Sequence, residues 1–137
     1  MKYVKSCGFV VFKQIDNKNH YLLIKSLNGD VGFPKGHMES GENELQTAIR
    51  ELKEETNVEV EIIKGFRKQI EYRLKKTPDT IKQSVYFLGK GKPGDIICQK
   101  TEVANADFIS YEDALNILTF VETKEILKDA ELFIRML

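Results

Sequence analysis

The sequence predicts a mixed α/β fold in which strands outnumber helices. Runs rich in β-branched and aromatic residues alternate with turn signals such as Asp16-Asn17, Asn28-Gly29-Asp30, Thr77-Pro78-Asp79 and Lys92-Pro93-Gly94. Other stretches place apolar residues at helical spacing. Several strand connections are short enough for hairpins, which favours a mixed, largely antiparallel sheet with helices on its faces.

In chain order, Val4–Phe12 and Tyr21–Lys25 read as the first strands, joined across Asp16-Asn17. Asn43–Thr56 carries Leu45, Ala48, Ile49 and Leu52 on one helical stripe. Val58–Ile63, Phe66–Leu74, Ser84–Leu88 and Val103–Ile109 follow as further strands, and Tyr111–Ile117 and Glu122–Met136 as two C-terminal helices. No repeat, low-complexity tract or linker divides the chain, so residues 1–137 are expected to form one domain.

The 137 residues are 42% hydrophobic and 31% charged, enough for one domain with a real core. Lys plus Arg and Asp plus Glu both number 21, which disfavours a general polyanion binder. The apolar run Cys7–Phe12 is too short for a signal sequence or a membrane span. Cys7 and Cys98 show neither paired nor metal-type spacing, as expected of reduced thiols. A soluble, cytoplasmic protein without membrane association is expected.

The Asn43–Thr56 helix is unusual in its acids. With Leu45 at zero and about 100° per residue, Glu51, Glu55 and Glu54 fall at about 240°, 280° and 180°, flanking the buried stripe. Glu51 and Glu55 form an i, i+4 like-charge pair costing roughly 0.2–0.5 kcal/mol. All three lie in the last two turns, where the helix dipole disfavours negative charge. One reading is a solvated acidic face relieved by Lys53 and Arg50; the other is a cation site. Upstream, Gly32-Phe33-Pro34-Lys35-Gly36-His37 is a glycine-spaced loop able to bring backbone groups close to a ligand, and Ser40-Gly41-Glu42 leads into the helix.

Together these residues resemble the Nudix box, G-x5-E-x7-R-E-U-x-E-E-x-G-U with U aliphatic. Gly36, Glu42, Arg50, Glu51, Leu52, Glu54, Glu55 and Val58 match it. Asn57 stands where the pattern has its second Gly, at a position expected to need a left-handed backbone, which Asn tolerates best after Gly. The resemblance implies the Nudix fold, an α/β/α sandwich, and metal-dependent hydrolysis of a nucleoside diphosphate linked to another moiety. Hard carboxylate oxygens on one helical face suit Mg²⁺ or Mn²⁺. Carried over, the family pattern makes Glu51 and Glu55 the main metal ligands, with Gly36 in the metal set. Glu54 shares the cluster or polarises water, and Glu42 and Arg50 are supportive, Arg50 orienting carboxylates rather than touching substrate. Glu102, just before the Val103–Ile109 strand, is the candidate for a further acid acting as ligand or general base.

Beyond the box, Phe33–Glu42, Gly65-Phe66 and Ile70-Glu71-Tyr72 resemble the asymmetrical diadenosine tetraphosphate hydrolases, and weaker similarity continues through Val85–Leu88 and the last helix. The implied reaction splits diadenosine tetraphosphate into ATP and AMP. Lys35, beside the box, is a phosphate-binding candidate, and His37 either bonds a phosphate or braces the loop. Arg67, Lys68, Arg73, Lys75, Lys76 and Lys82 are expected to form a local basic patch. Tyr72 and Phe133 are candidates for stacking on adenine, with core packing as the alternative for each. An RNA 5′ end or an oxidised nucleoside triphosphate is the competing substrate. A catalytically weak, nucleotide-sensing domain is disfavoured because every carboxylate of the box is present. Oligomeric state is not legible.

Overall fold

The computed structural model describes residues 1–137, the side chain of Leu74 excepted. The elements are β1 (Lys2–Ile15), β2 (Lys18–Ser26), β3 (Val31–Gly32), β4 (Lys35–His37), α1 (Glu44–Thr56), β5 (Val60–Leu74), β6 (Thr77–Gly91), β7 (Val103–Ser110), α2 (Tyr111–Ile117) and α3 (Val121–Arg135). Asp16 and Asn17 sit at φ 52° and 64°, the left-handed pair that a two-residue hairpin turn requires.

The strand order is β3-β2-β1-β6-β5, with β4 also on β1 and β7 on β2. β1 runs parallel to β6, and the other pairings are antiparallel, which gives the expected mixed, largely antiparallel sheet. β1 and β2 pair only at their hairpin end, Phe12↔Tyr21 to Ile15↔Lys18. Farther along, β1 takes β4 as its partner and β2 takes β3. The loop following β2 is thereby held against the sheet.

Strand alternation sends Cys7, Phe9, Val11, Leu22, Ile24 and Val85 to one face, under Ala48 and Leu52 of α1. Val10, Phe12, Tyr21, Leu23, Tyr86 and Leu88 face the other way, under Ala114 of α2 and Ile126, Leu127 and Ala130 of α3. Burial of each such large apolar side chain contributes roughly 1.5–3 kcal/mol, and two filled faces make the α/β/α sandwich. Both cysteines are free, Cys7 buried and Cys98 half-buried. Among the described residues no helix is long and apolar enough to cross a membrane.

Some sequence expectations change. The two strands expected at Val58–Ile63 and Phe66–Leu74 are one, β5, with an irregularity between Ile63 and Arg67. Gly65 supplies its φ of +97°, a conformation other residues rarely adopt. Thr77-Pro78-Asp79 is not the turn; Lys75-Lys76 is, and Thr77-Pro78 opens β6. β3 and β4 were not anticipated, since strands of two and three residues carry no periodicity of their own. In α1 the buried residues are Thr47, Ala48, Leu52, Glu55 and Thr56, while Ile49 is exposed. The buried arc is centred nearer Ala48 than Leu45, which draws Glu55 inward.

Candidate active site

Local chemistry fixes α1 at both ends. Asn43 caps the N-terminus, its side chain accepting from the Gln46 N–H at 2.8 Å while Gln46 Oε1 accepts from the Asn43 N–H at 2.9 Å. Asn57, at φ 64°, ends the helix in the left-handed region and donates its N–H to the Lys53 carbonyl at 2.9 Å. The segment before β7 satisfies two more terminal carbonyls: Ile97 N–H donates to Thr56 at 2.9 Å and Gln99 N–H to Glu55 at 3.0 Å. Glu102 N–H in turn donates to the Gln99 carbonyl at 3.1 Å. Capping of the helix is what carries Glu102 to the acidic end of α1.

Arg50 organises the carboxylates. Its Nε and Nη2 donate to the two oxygens of Glu42 at 2.6 and 3.0 Å, its Nη1 donates to Glu51 at 2.9 Å and Glu54 at 3.1 Å, and its Nη2 also reaches the His37 carbonyl at 3.0 Å. The Arg50 guanidinium, with a bond from the Glu39 N–H, holds Glu42 down at about 2. One guanidinium therefore ties the β4 end, the loop before α1 and two turns of α1 together.

Opposite stands Gly36. A Cβ there would fall on the Glu51 carboxylate, so any larger residue would push that carboxylate away from β4. Glu51 is shifted upward by burial, against the pull of Arg50. Glu55 is 3% exposed and raised to about 8, first by burial and then by the charges of Glu51 and Glu102. Its Oε1 has no hydrogen-bond partner among the described residues. Lys35 is lowered to about 8 by burial and by Lys82, with Glu55 opposing. His37 is exposed, and its ring is shifted downward by partial burial and by Lys82 and Lys35.

A hollow of about 270 Å³ opens beside Glu55 and Lys35, lined also by Glu102, Phe33, Gly32 and Asp30 among others. Gly32 and Lys35 also form one wall of a second cleft, of about 170 Å³, that holds Tyr72, Ile70, Ser84, Tyr86 and Phe120. The α2–α3 link reaches this cleft because Thr119 is bonded to β3: its N–H donates to the Val31 carbonyl at 3.1 Å, and its Oγ1 accepts from the Val31 N–H at 2.8 Å.

The structure brings together Gly36, Arg50, Glu51, Glu54, Glu55, Glu102, Lys35 and His37. Tyr72 is half-buried, outside both core clusters, and lies in the adjoining cleft. Phe133 is not brought there; it packs edge-on against Phe66 at 5.6 Å and joins the α3 core, the packing alternative. The expected basic patch is divided. Alternate strand residues face opposite ways, so Arg67 binds Glu44 of α1 at 2.9 and 3.0 Å whereas Lys68 lies 3.7 Å from Asp129 of α3. Of that group Lys82 faces Lys35. Phe120 was missed; its signal is an aromatic, 51% exposed, in the short link between two helices.

The fit to a divalent cation rests on the donor set. Among the described residues no three acidic, His or Cys side chains converge closely enough to hold a metal. Yet Glu55 keeps a buried oxygen without a partner, Glu51 presses on Gly36, and the acids raise one another, which a cation would relieve.

This fold and this box define a Nudix protein, and the NUDIX domain family matches residues 6–130; the chain belongs to that family. It is 29% identical over 143 aligned residues to the asymmetrical bis(5′-nucleosyl)-tetraphosphatase of Rattus norvegicus, covering 96% of this chain and 95% of that one. The structure of a C. elegans Ap4A hydrolase binary complex superposes with a TM-score of 0.89 at 29% identity, covering 98% and 99% of the two chains. The RNA pyrophosphohydrolase of Nitratiruptor sp. is 31% identical over 74% of this chain and 72% of its own.

Proposed function

We propose that the chain, as one domain over residues 1–137, hydrolyses diadenosine tetraphosphate asymmetrically, to ATP and AMP, with Mg²⁺ or Mn²⁺ held by Glu51, Glu55 and Glu54 and by the Gly36 backbone. One observation carries the reading: the acid-lined hollow and the aromatic cleft share the Gly32 and Lys35 wall. A substrate with a base in the cleft puts its phosphates beside the acids.

When bound, the cation neutralises phosphate charge and acidifies a coordinated water. Arg50 holds Glu51 and Glu54 in place without entering either hollow. Glu102, which lines the same hollow as Glu55 and Lys35, takes a proton from water in this reading, with Glu54 as the alternative for that role. Lys35 and Lys82 supply positive charge for a long polyphosphate, and His37 braces the loop through its carbonyl bond to Arg50. Tyr72, with Phe120 in the same cleft, offers ring surface to adenine.

The relationship to an RNA pyrophosphohydrolase favours a second reading, removal of pyrophosphate from a triphosphorylated RNA 5′ end, at the same two hollows. Product analysis separates them. Incubated with Mg²⁺ and a panel of dinucleoside polyphosphates, triphosphorylated RNA and oxidised nucleoside triphosphates, the protein should show its highest kcat/KM on diadenosine tetraphosphate, with ATP and AMP as sole products. Symmetrical cleavage to two ADP, or a higher kcat/KM on RNA, would overturn the first reading. The proposed place of work is the cytoplasm, where such nucleotides are made and used.

A further inference from the structure

Ser84 lies on the floor of the aromatic cleft. It sits in the middle of β6, between β1 at Ser6 and β5 at Ile70, and is 0% exposed. Its Oγ has no hydrogen-bond partner among the described residues. The nearby Tyr86 phenol does not meet it with bonding geometry. Thr123 Oγ1, which lines the same cleft, is already committed, donating to the Phe120 carbonyl at 2.7 Å.

A buried hydroxyl without a partner costs stability that alanine would spare. Strand alternation directs Ser84, with Tyr72's cross-strand neighbour Lys82 and with Tyr86, to the cleft side of the sheet. Stacking on Tyr72 is tolerant of base identity, because every base has a π-face. Hydrogen bonding to a base edge is not, and sites that hydrogen-bond a substrate reject analogues lacking the partner atom.

We propose that Ser84 determines base specificity: its Oγ–H donates to an unprotonated ring nitrogen of the purine seated in the Tyr72 cleft. The proposal rests on the reading of that cleft as the base subsite. A ring nitrogen can accept that hydroxyl hydrogen, for which none of the described residues is a partner.

The experiment compares wild type, Ser84→Ala and Tyr72→Ala on three kinds of substrate. These are diadenosine tetraphosphate, its analogues with one adenine ring nitrogen at a time replaced by C–H, and inorganic tetraphosphate, which has no base. Ser84→Ala should lower kcat/KM on diadenosine tetraphosphate about fivefold to tenfold, the size of one neutral hydrogen bond. It should leave inorganic tetraphosphate turnover unchanged and the melting temperature level or higher. One analogue should be as poor a substrate for wild type as the natural dinucleotide is for Ser84→Ala, with no further loss when the two changes are combined. Unchanged kcat/KM in Ser84→Ala, equal losses on all substrates with a lower melting temperature, or additive losses on every analogue would each overturn the proposal. Tyr72→Ala separates the two levels. If it impairs diadenosine tetraphosphate but not inorganic tetraphosphate, the base subsite stands whatever Ser84 does; if it impairs both alike, the subsite reading falls and the Ser84 assignment with it.

Discussion

Glu55 combines two properties that rarely coexist without a ligand: it is almost fully buried, and one carboxylate oxygen has no partner among the described residues. If it and Glu51 hold a metal, Glu51→Gln and Glu55→Gln should each lower turnover at saturating Mg²⁺ by orders of magnitude while leaving the metal-free fold intact. Near wild-type turnover in either variant would remove that residue from the ligand set. Glu102→Gln should cost about 10²–10⁴-fold if Glu102 is the general base. An unchanged rate and pH profile would move that role to Glu54. The metal-free chain also offers a test that needs no activity. Raised from 4.5 to about 8, Glu55 keeps its proton in the folded state over a range where the unfolded chain has released it. Its contribution to stability is complete below about 4.5 and lost as pH rises to about 8. Glu51 is shifted the same way, whereas Glu42 and Glu44, held at about 2, contribute above 4.5 and lose their effect only as pH falls towards 2. The melting temperature should therefore decline between about pH 4.5 and 8, and Glu55→Gln, neutral throughout, should flatten that decline. An identical slope in the variant would show that Glu55 titrates normally.

α1 was legible in the sequence because its signals are local: Asn43 and Gln46 close a capping box three residues apart, and the box acids fall by arithmetic on one side. Asn57 in the place of the second Gly was legible too, and it adopts the left-handed conformation expected of that position. Asn57→Ala should destabilise the fold by about 1–2 kcal/mol, the cost of forcing a Cβ with no compensating side chain into that region. Chemical denaturation would measure it, and a loss below a few tenths of a kcal/mol would mean that the helix end relaxes freely. Asn57→Gly should be milder, since it keeps the backbone and loses the Asn57 Nδ2 bond to the Asp95 carbonyl at 3.2 Å. β3 and β4 were not legible, because two or three residues carry no period of their own and become strands only through their partners, the nearby Ile24 and Lys25 for β3 and the distant Ser6 to Gly8 for β4. The basic patch failed for a related reason: charges adjacent in sequence on a strand lie on opposite faces of the sheet, so Arg67 and Lys68 serve different helices.

Across the whole molecule the candidate site is assembled from α1, the β3–β4 loop, the segment before β7, the β5–β6 pair and the α2–α3 link. Sequence spacing exposed the α1 acids and the loop, but only the tertiary bonds of Gln99 and Thr119 show why Glu102 and Phe120 join them. The same assembly separates the two aromatics that the sequence offered for stacking, each with core packing as the alternative. Tyr72 lines the cleft beside Lys35, whereas Phe133 packs on Phe66 and its ring lies 3.3 Å from where a Gly65 Cβ would stand. Phe133→Ala should therefore act through the fold. It should lower stability by up to about 3 kcal/mol, the lower end for a truncated aromatic because Phe133 is only partly buried. Below the melting transition it should leave the relative kcat/KM values for dinucleotide and base-free polyphosphate unchanged. Tyr72→Ala should do the reverse: a small change in melting temperature, and a tenfold to hundredfold loss of kcat/KM confined to base-bearing substrates, from a stacking contact of about 1–3 kcal/mol. Tyr72→Phe should be mild, because the ring carries the contact. If Phe133→Ala shifted substrate preference while Tyr72→Ala only lowered the melting temperature, the base would lie against α3 and the cleft beside Lys35 would be structural.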